Sequence, residues 1–294
     1  MSIDRENADG VELEWDVVLG GLRFPEGPRW HEGSLWFSDV HAGRVHRLDV
    51  ESGTAQVVAE TDTAPAGLGF LPDGRLLLSS GSDCRILRRQ PDGRLEVHAD
   101  LGELASWQLN DLCVDPRGRA FVGDYGDGSA PPDPAFPADL LRVDPDGSVH
   151  VAAFDMHFAN GMVVTPDGGT LVVAETRSVP GRLTAFTIAD DGELTGRRTL
   201  CEFEPHVLPD GLAIDALGNI WVASPFSGEL LRVSPDGRVD LHVRVDNPYA
   251  VALRPVTAGA SGGGELFVCS SPDWRPDATE DNPQGVILRA VLPA

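Results

Sequence analysis

Four oxygen-bearing side chains occupy the same position in different copies of one repeated phrase, and they are the first candidates for chemistry in this chain. Glu26, Asn110, Asn160 and Asp210 each open a copy. Glu26, Asn160 and Asp210 together offer two carboxylates and one amide oxygen. Hard oxygen donors of this kind suit Ca²⁺, Mg²⁺ or Mn²⁺ better than a soft metal. If the fold brings these positions together, the sequence predicts a site for one divalent cation.

The phrase that these residues open occurs six times and indicates a repeating fold. Each copy continues through an apolar strand, a glycine-containing turn and a second apolar strand, and the openings are 39 to 50 residues apart. Short strands and glycine turns at this period predict an all-β, six-bladed β-propeller. Equivalent positions of its blades would converge on a central metal-binding channel. The six opening residues are Glu26, Ala66, Asn110, Asn160, Asp210 and Tyr249.

The two ends of the chain are expected to close the ring. Residues 1–10 are polar and acidic and are predicted to be a flexible terminus, whereas residues 11–294 form one propeller domain. Residues 11–19 alternate between polar and apolar side chains, as a strand does, and residues 285–292 read as another strand. An open ring would expose sheet edges, so we expect both strands to share the last blade.

The sequence Pro-Asp-Gly occurs six times, and one copy differs from the rest in its position. Five copies lie between two apolar runs, where proline and glycine favour a tight turn. Pro209-Asp210-Gly211 instead opens a repeat. We therefore expect Asp210 to serve through its carboxylate rather than as a turn residue. The alternative is that Asn and Asp open strands simply because they favour turns.

The composition narrows the choice of partners. A formal net charge of -23 argues against nucleic-acid binding, which depends largely on Lys and Arg. No apolar run approaches the length of a membrane span, and no secretory signal precedes the first repeat. The four cysteines are widely spaced and are expected to be reduced. These features predict a cytoplasmic protein, monomeric or a small homo-oligomer, that binds a small molecule.

Three further residues are candidates near the channel mouth. Asp124 ends the strand that follows Asn110, so it is a possible general base, although it could equally be a turn residue. His157 and His206 lie three and four residues before their repeat openings, where each could contact substrate or shuttle a proton. A histidine in a loop is, however, more often simply solvated.

Four phrases together resemble the SMP-30/gluconolactonase/luciferin-regenerating-enzyme family. They begin at Phe24, Leu109, Ala159 and Pro209, and the resemblance covers roughly residues 15 to 290. It implies a six-bladed propeller with one divalent cation in its channel, often catalysing lactone hydrolysis. On the family's pattern Glu26, Asn160 and Asp210 match the metal ligands. Asn110 matches a residue that touches substrate.

The chain departs from the sugar-lactonase members of that family close to the expected substrate site. Where those members commonly carry an arginine that binds sugar hydroxyls, this chain has Gln108, and Trp107 precedes it. Glutamine lacks the charge and the bidentate fork of arginine. We therefore expect Trp107 and Gln108 to contact substrate, and expect that substrate to carry fewer hydroxyls than an aldonolactone.

The expected reaction is the opening of a cyclic ester by a metal-activated water at a metal-polarised carbonyl. Asp210, Glu26 or Asp124 would take the proton of the water. Ca²⁺ is the leading cofactor, with Mg²⁺, Mn²⁺ or Zn²⁺ as alternatives. Two other functions remain open: a non-catalytic propeller stabilised by its metal, used as a binding module, and a related enzyme acting on a phosphotriester or another small metabolite.

Overall fold

Six four-stranded antiparallel sheets make up almost all of the regular structure. The computed structural model describes residues 11–129, 136–254 and 264–293. The predicted flexible terminus at residues 1–10 lies outside the described residues. Each sheet is one blade, and its strands follow one another along the chain in five of the six blades. The predicted six-bladed β-propeller is therefore confirmed.

The strands are numbered in chain order. Blade 1 contains β2 (Pro25–His31), β3 (Ser34–Asp39), β4 (Arg44–Asp49) and β5 (Thr54–Glu60). Blade 2 contains β6 (Pro65–Phe70), β7 (Leu76–Ser80), β8 (Arg85–Arg89) and β9 (Leu95–Asp100). Blade 3 contains β10 (Leu109–Val114), β11 (Ala120–Asp124), β12 (Ala138–Val143) and β13 (Val149–Met156).

The second half of the chain repeats the arrangement. Blade 4 contains β14 (Ala159–Val164), β15 (Thr170–Glu175), β16 (Arg182–Ile188) and β17 (Leu194–Glu202). Blade 5 contains β18 (Leu212–Ile214), β19 (Ile220–Ser224), β20 (Glu229–Val233) and β21 (Val239–Arg244). Blade 6 contains β22 (Pro248–Arg254), β23 (Glu265–Ser270), β24 (Gly285–Val291) and β1 (Asp16–Leu22). A 3-10 helix at Val40–Ala42 touches the short helix α1 (Pro276–Glu280).

The termini close the ring as expected, although the first strand spans Asp16–Leu22 rather than the predicted residues 11–19. Strand β1 pairs antiparallel with β24, and Asp16 lies opposite Arg289 while Leu22 lies opposite Gly285. The first strand of each blade contacts the first strand of the next, and β22 of the last blade contacts β2 of the first. These first strands therefore surround the axis, and the repeat openings lie at one end of them.

The Pro-Asp-Gly segments behave in the two predicted ways. In the five that connect strands, glycine adopts a positive φ of 73° to 89°, which favours glycine over other residues. Gly211 has no such φ, and Asp210 leads directly into β18. The five glycines in turns are Gly74, Gly93, Gly147, Gly168 and Gly237.

A small residue after the repeat opening lets neighbouring inner strands approach closely. A Cβ atom on Gly161 would lie 2.4 Å from the carbonyl oxygen of Asp210 and 2.5 Å from the backbone nitrogen of Leu212. Backbone atoms cannot yield as a side chain can, so any larger residue would push blades 4 and 5 apart. This close approach holds Asn160 next to Asp210.

The core lies between the blades, where buried apolar side chains of adjacent sheets meet. One such cluster joins blades 5 and 6 and contains Trp221, which is 1% exposed, together with Val251 and Val268. All four cysteines are free, and only Cys84 is partly exposed. No helix in the part of the chain that the structure describes has the length and apolarity to cross a membrane.

Candidate metal and active site

A cavity of about 480 Å³ opens at the end of the ring where the repeats begin. It is lined by Glu26, Asn110, Asn160 and Asp210, the four oxygen-bearing openings. The other two openings, Ala66 and Tyr249, line it as well. The structure thus brings together at one place residues that are spread over more than two hundred positions of sequence. We call the surface made by Glu26, Asn110, Asn160 and Asp210 the floor of the cavity.

A chain of hydrogen bonds fixes the two asparagines of the floor. The Asn110 amide Nδ2 donates to Oδ1 of Asn160 at 2.8 Å, and Nδ2 of Asn160 donates to Oγ1 of Thr176 at 3.1 Å. The Thr176 hydroxyl in turn donates to the carbonyl oxygen of Pro209 at 2.7 Å. Asn160 is therefore held with its carbonyl oxygen directed away from Thr176 and toward Asn110. An amide oxygen has two lone pairs, so one remains for another partner.

The two carboxylates of the floor disfavour each other's ionisation. Burial, together with the negative charge of Asp111, raises the pKa of Glu26 to about 8. Burial also raises the pKa of Asp210, and the charges of Glu26 and Asp111 raise it further. The backbone N–H of Gly27 donates to Oε2 of Glu26 at 2.9 Å and offsets part of the effect. A positive charge placed between two buried carboxylates would stabilise their ionised forms.

Asp111 lines the cavity beside the floor and was not among the residues predicted from the sequence. Its side chain is buried and lines the cavity, and Arg29 donates from Nη2 to its Oδ1 at 2.8 Å. The same Arg29 nitrogen reaches the carbonyl oxygen of Leu112 at 2.6 Å. Arg29 is therefore bonded directly to Asp111, and its charge also lowers the pKa of Glu26. A signal was present in the sequence, since Asp111 stands where four other repeats have glycine.

The residues of the floor fit a hard divalent cation. Within residues 11–129, 136–254 and 264–293, no group of three or more His, Cys, Asp or Glu side chains is arranged to hold a metal ion. The predicted set is of another kind, because Asn160 adds an amide oxygen to the carboxylates of Glu26 and Asp210. Carboxylate and amide oxygens are the donors that Ca²⁺ prefers. A cation there would supply the missing positive charge.

Besides Asn110, two of the predicted substrate residues line the cavity, and three other candidates do not. Trp107 and Gln108 are on its wall. The Asp124 carboxylate is 1% exposed and accepts hydrogen bonds from the backbone N–H groups of Ser106 at 2.6 Å and Gly126 at 2.7 Å. Asp124 therefore anchors two loops, and its own surface does not reach the cavity. His157 and His206 also lie outside the cavity lining.

Both tyrosines of the chain line this cavity, and the sequence analysis passed over them. Burial, followed by the charges of Glu26 and Asp210, raises the pKa of Tyr125. Burial and then Asp210 and Glu26 raise the pKa of Tyr249. Both hydroxyls consequently stay protonated and can donate hydrogen bonds beside the floor. Tyr249 opens the sixth repeat, so its position was a signal, whereas Tyr125 follows a strand end without any distinguishing pattern.

Arg177 and His41 supply the basic side chains of the wall. Arg177 is 9% exposed, and its Nη1 donates to the carbonyl oxygen of Ser129 at 2.7 Å and to its hydroxyl at 2.9 Å. Ring nitrogen Nδ1 of His41 lies 2.8 Å from the hydroxyl of Thr279 in α1. Burial lowers the pKa of His41. Both residues therefore tie loops to the mouth of the cavity.

Comparisons with known proteins agree with this architecture. The family model described as SMP-30/Gluconolactonase/LRE-like region matches residues 24–271. A pentonolactonase of Haloferax volcanii is 32% identical over 264 residues, covering 84% of this chain and 86% of that protein. A 6-deoxy-6-sulfogluconolactonase of Pseudomonas putida is 30% identical over 262 residues, covering 85% and 84%. The crystal structure of a calcium-binding protein, regucalcin, from Agrobacterium tumefaciens superposes with a TM-score of 0.78 at 23% identity, covering 96% of each chain.

Proposed function

The chain belongs to the SMP-30/gluconolactonase/LRE-like family, and from this membership we propose that it is a divalent-metal-dependent lactonase that opens a cyclic ester. The proposal rests chiefly on one observation. Glu26, Asn160 and Asp210 line the floor of a single cavity together with Asn110. Two relatives at 30% identity or more are named as lactonases, which supports the same reaction class.

Glu26, Asn160 and Asp210 would hold the cation, and Ca²⁺ is our first choice for it. The donor set of carboxylate and amide oxygens supports this choice, and a similar fold belongs to a protein described as calcium-binding. Mg²⁺, Mn²⁺ and Zn²⁺ are the alternatives. When bound, such a cation supplies Lewis-acid activation of an ester carbonyl and of a water molecule.

The side chains of the floor and wall have separate tasks in this proposal. Asn110 is hydrogen-bonded to Asn160 and is thereby fixed in position. Its second amide N–H and its side-chain carbonyl oxygen can bond the substrate. The proton released by the attacking water is accepted by a floor carboxylate, Glu26 or Asp210. Because Oε2 of Glu26 already accepts a hydrogen bond from the Gly27 backbone N–H, we assign the water proton to Oε1 of Glu26 or to the Asp210 carboxylate.

The tyrosine hydroxyls are donors in the same space. Tyr125 and Tyr249 are near enough to the floor for the charges of Glu26 and Asp210 to raise their pKa values. A protonated hydroxyl beside the reacting ester can donate to an oxygen that gains negative charge in the transition state. We assign no proton transfer to Asp124, since backbone N–H groups already bond both of its oxygens.

A panel of esters tests the function. The purified protein is assayed by acid release with aldonolactones, alkyl γ- and δ-lactones and an aryl phosphotriester, with and without chelator and added Ca²⁺, Mn²⁺, Mg²⁺ or Zn²⁺. The proposal expects lactone hydrolysis that chelator abolishes and a cation restores. Activity on the phosphotriester alone would instead favour the related phosphoesterase reaction. Metal-dependent melting without turnover of any substrate would favour a binding module.

A further inference from the structure

Three large aromatic side chains are exposed around the mouth of the cavity. Trp107 is 44% exposed, Phe226 is 55% exposed and Trp274 is 41% exposed, and all three line the cavity. They come from separate places: Trp107 precedes β10, Phe226 lies between β19 and β20, and Trp274 lies between β23 and β24. We call these three residues the aromatic rim. Exposed apolar surface gathered at the entrance of a cavity is typical of a ligand site.

The turns that carry the rim are well ordered by their own hydrogen bonds. Phe226 sits at the tip of a turn in which the Ser227 hydroxyl donates to the Ser224 hydroxyl at 2.7 Å. The Cys84 thiol donates to the carbonyl oxygen of Trp107 at 3.1 Å, and the Trp107 ring lies 3.4 Å from where a Cβ of Gly128 would be. Beside Trp274, the Ser271 hydroxyl donates to the carbonyl oxygen of Asp273 at 2.7 Å, so each rim residue lies in or next to a hydrogen-bonded segment.

Below the rim the wall remains aromatic. Trp107 meets Tyr125 edge to face with ring centroids 5.9 Å apart, and Tyr125 lies against Phe158 at 4.5 Å. A second run contains Phe24, stacked on His41 at 4.9 Å and edge-on to Tyr249 at 4.8 Å. All of these residues line the cavity. A ligand that reaches the floor is thus flanked by aromatic side chains from both runs.

Several polar side chains of the wall are already bonded to protein groups, although Nη2 of the buried Arg177 has no partner among the described residues. Arg177 donates to Ser129, and the Ser129 hydroxyl donates to Asp127 at 2.5 Å. His41 is joined to Thr279, and Thr176 bonds Pro209. Hydroxyl groups of a lactone that lie against the aromatic part of the wall would lack partners, and each unmet polar group costs free energy on burial. The aromatic surface accepts an apolar group without that cost.

We infer that the lactone opened here carries an apolar substituent, an alkyl chain or aryl group, which lies against Trp107, Phe226 and Trp274 while the ester ring reaches the floor. The inference rests on the proposed lactonase function and adds the substrate class to it. An aliphatic chain in such a site contributes about 0.8 kcal/mol for each methylene removed from water. The predicted gain in kcat/KM is therefore about fourfold for each added methylene until the chain outgrows the rim.

The test uses a series of γ- and δ-lactones that differ only in the length of an unbranched alkyl substituent, with an aldonolactone for comparison. Initial rates are measured for the metal-loaded wild-type protein and for Phe226→Ala and Trp274→Ala. The matched control is Phe154→Ala, because Phe154 is 65% exposed on β13 and does not line the cavity. The readout is the slope of the logarithm of kcat/KM against chain length, which a simple loss of folded protein leaves unchanged.

We expect the wild-type protein and Phe154→Ala to share a rising slope, and both rim variants to flatten it. A flat wild-type slope, unchanged slopes in the rim variants, or a preference for the aldonolactone would overturn the inference while leaving the lactonase function in place. If the metal-loaded protein hydrolyses no lactone at all, the proposed function fails and the substrate class fails with it.

Discussion

The side-chain amide of Asn110 donates to the side-chain carbonyl of Asn160 at 2.8 Å, which joins the first strands of blades 3 and 4 at the floor of the cavity. Asn110 was expected to touch substrate and Asn160 to hold metal. The hydrogen bond links these two tasks, because any change at Asn110 also alters the support of Asn160.

We predict that Asn110→Ala lowers cation affinity as well as turnover. Asn160 would lose the donor that orients its Oδ1, and losing such a supporting partner typically costs 10- to 100-fold in metal affinity. Calorimetric titration of Ca²⁺ into chelator-treated protein measures the effect. Thr176→Val, which removes the other partner of Asn160, should give a loss of similar size. Wild-type affinity in both variants would show that Asn160 needs no orientation.

We predict that Asp210→Asn lowers turnover without lowering the stability of the metal-free protein. The variant removes a buried charge whose pKa is raised by burial and by Glu26, so the metal-free protein should unfold at an equal or higher urea concentration than the wild type. Turnover should fall by about 10³-fold or more, because several kcal/mol of transition-state stabilisation would be lost. Urea titration in chelator and steady-state assays check the two parts. A variant that is less stable yet fully active would contradict both.

Tyr125→Phe and Tyr249→Phe should each lower kcat by roughly tenfold, the value of about one neutral hydrogen bond to the reacting ester. The shape of the ring is retained, so the melting temperature should move by less than a few degrees. Steady-state kinetics with one alkyl lactone measures the change. Unaltered kcat in both variants would remove the hydroxyls from the reaction and leave only the aromatic surface.

Glu175 should make stability depend on acid pH. Burial alone would raise its pKa, but hydrogen bonds from Arg182, the His157 backbone N–H and Thr184 outweigh burial and lower the pKa. The folded state then binds this proton less tightly than the unfolded state. Its contribution to stability is present above the ordinary pKa of 4.5 and is lost as pH falls below that value.

Glu175→Gln tests this dependence. At pH 7 the variant should lose about 2 to 4 kcal/mol, since Arg182 would keep a charge without its carboxylate partner. Between pH 5 and pH 3 the variant should lose less stability than the wild type does. Urea denaturation at several pH values gives both quantities. If the free energy of unfolding fell equally with pH in both proteins, Glu175 would not be the group that titrates.

Gly161→Ala should damage the fold and the metal site together. The added Cβ would lie 2.4 Å from the carbonyl oxygen of Asp210, and overpacking of this kind costs about 1 to 3 kcal/mol or more. Gly20→Ala is the control, because its Cβ would meet only Val286 and Val17 side chains at ordinary distances of 3.7 and 4.0 Å. Denaturation and Ca²⁺ titration should both be altered in the first variant and not in the second.

The repeat phrase made the blades predictable because each copy carries its own strands and turns. Since the openings of all copies share one register, the meeting of Glu26, Asn160 and Asp210 followed from the fold class alone. The Pro-Asp-Gly turns were equally readable, because the positive φ of their glycines is a local property. Closure of the last blade by β1 followed from the need to cover an open sheet edge.

The wall of the cavity was harder to predict, since its residues come from connections between strands. The direction of a side chain in a loop or at a strand end depends on contacts that no period encodes, such as the backbone N–H groups that bond the Asp124 carboxylate at the end of β11. The pairing of Arg29 with Asp111 joins blade 1 to blade 3 and has no local signature. Trp107 and Gln108 were identified through the family resemblance, because Gln108 stands where sugar-lactonase members commonly carry an arginine.

The proposed lactone opening requires a single cation, bound by Glu26, Asn160 and Asp210. The most direct measurement follows hydrolysis of an alkyl lactone by chelator-treated protein while Ca²⁺ is added back and the bound metal is counted, with Asp210→Asn in parallel. We predict no activity without metal, full recovery at one bound cation per chain, and neither binding nor recovery in the variant. Full activity of the metal-free wild-type protein, or recovery in Asp210→Asn, would contradict the account.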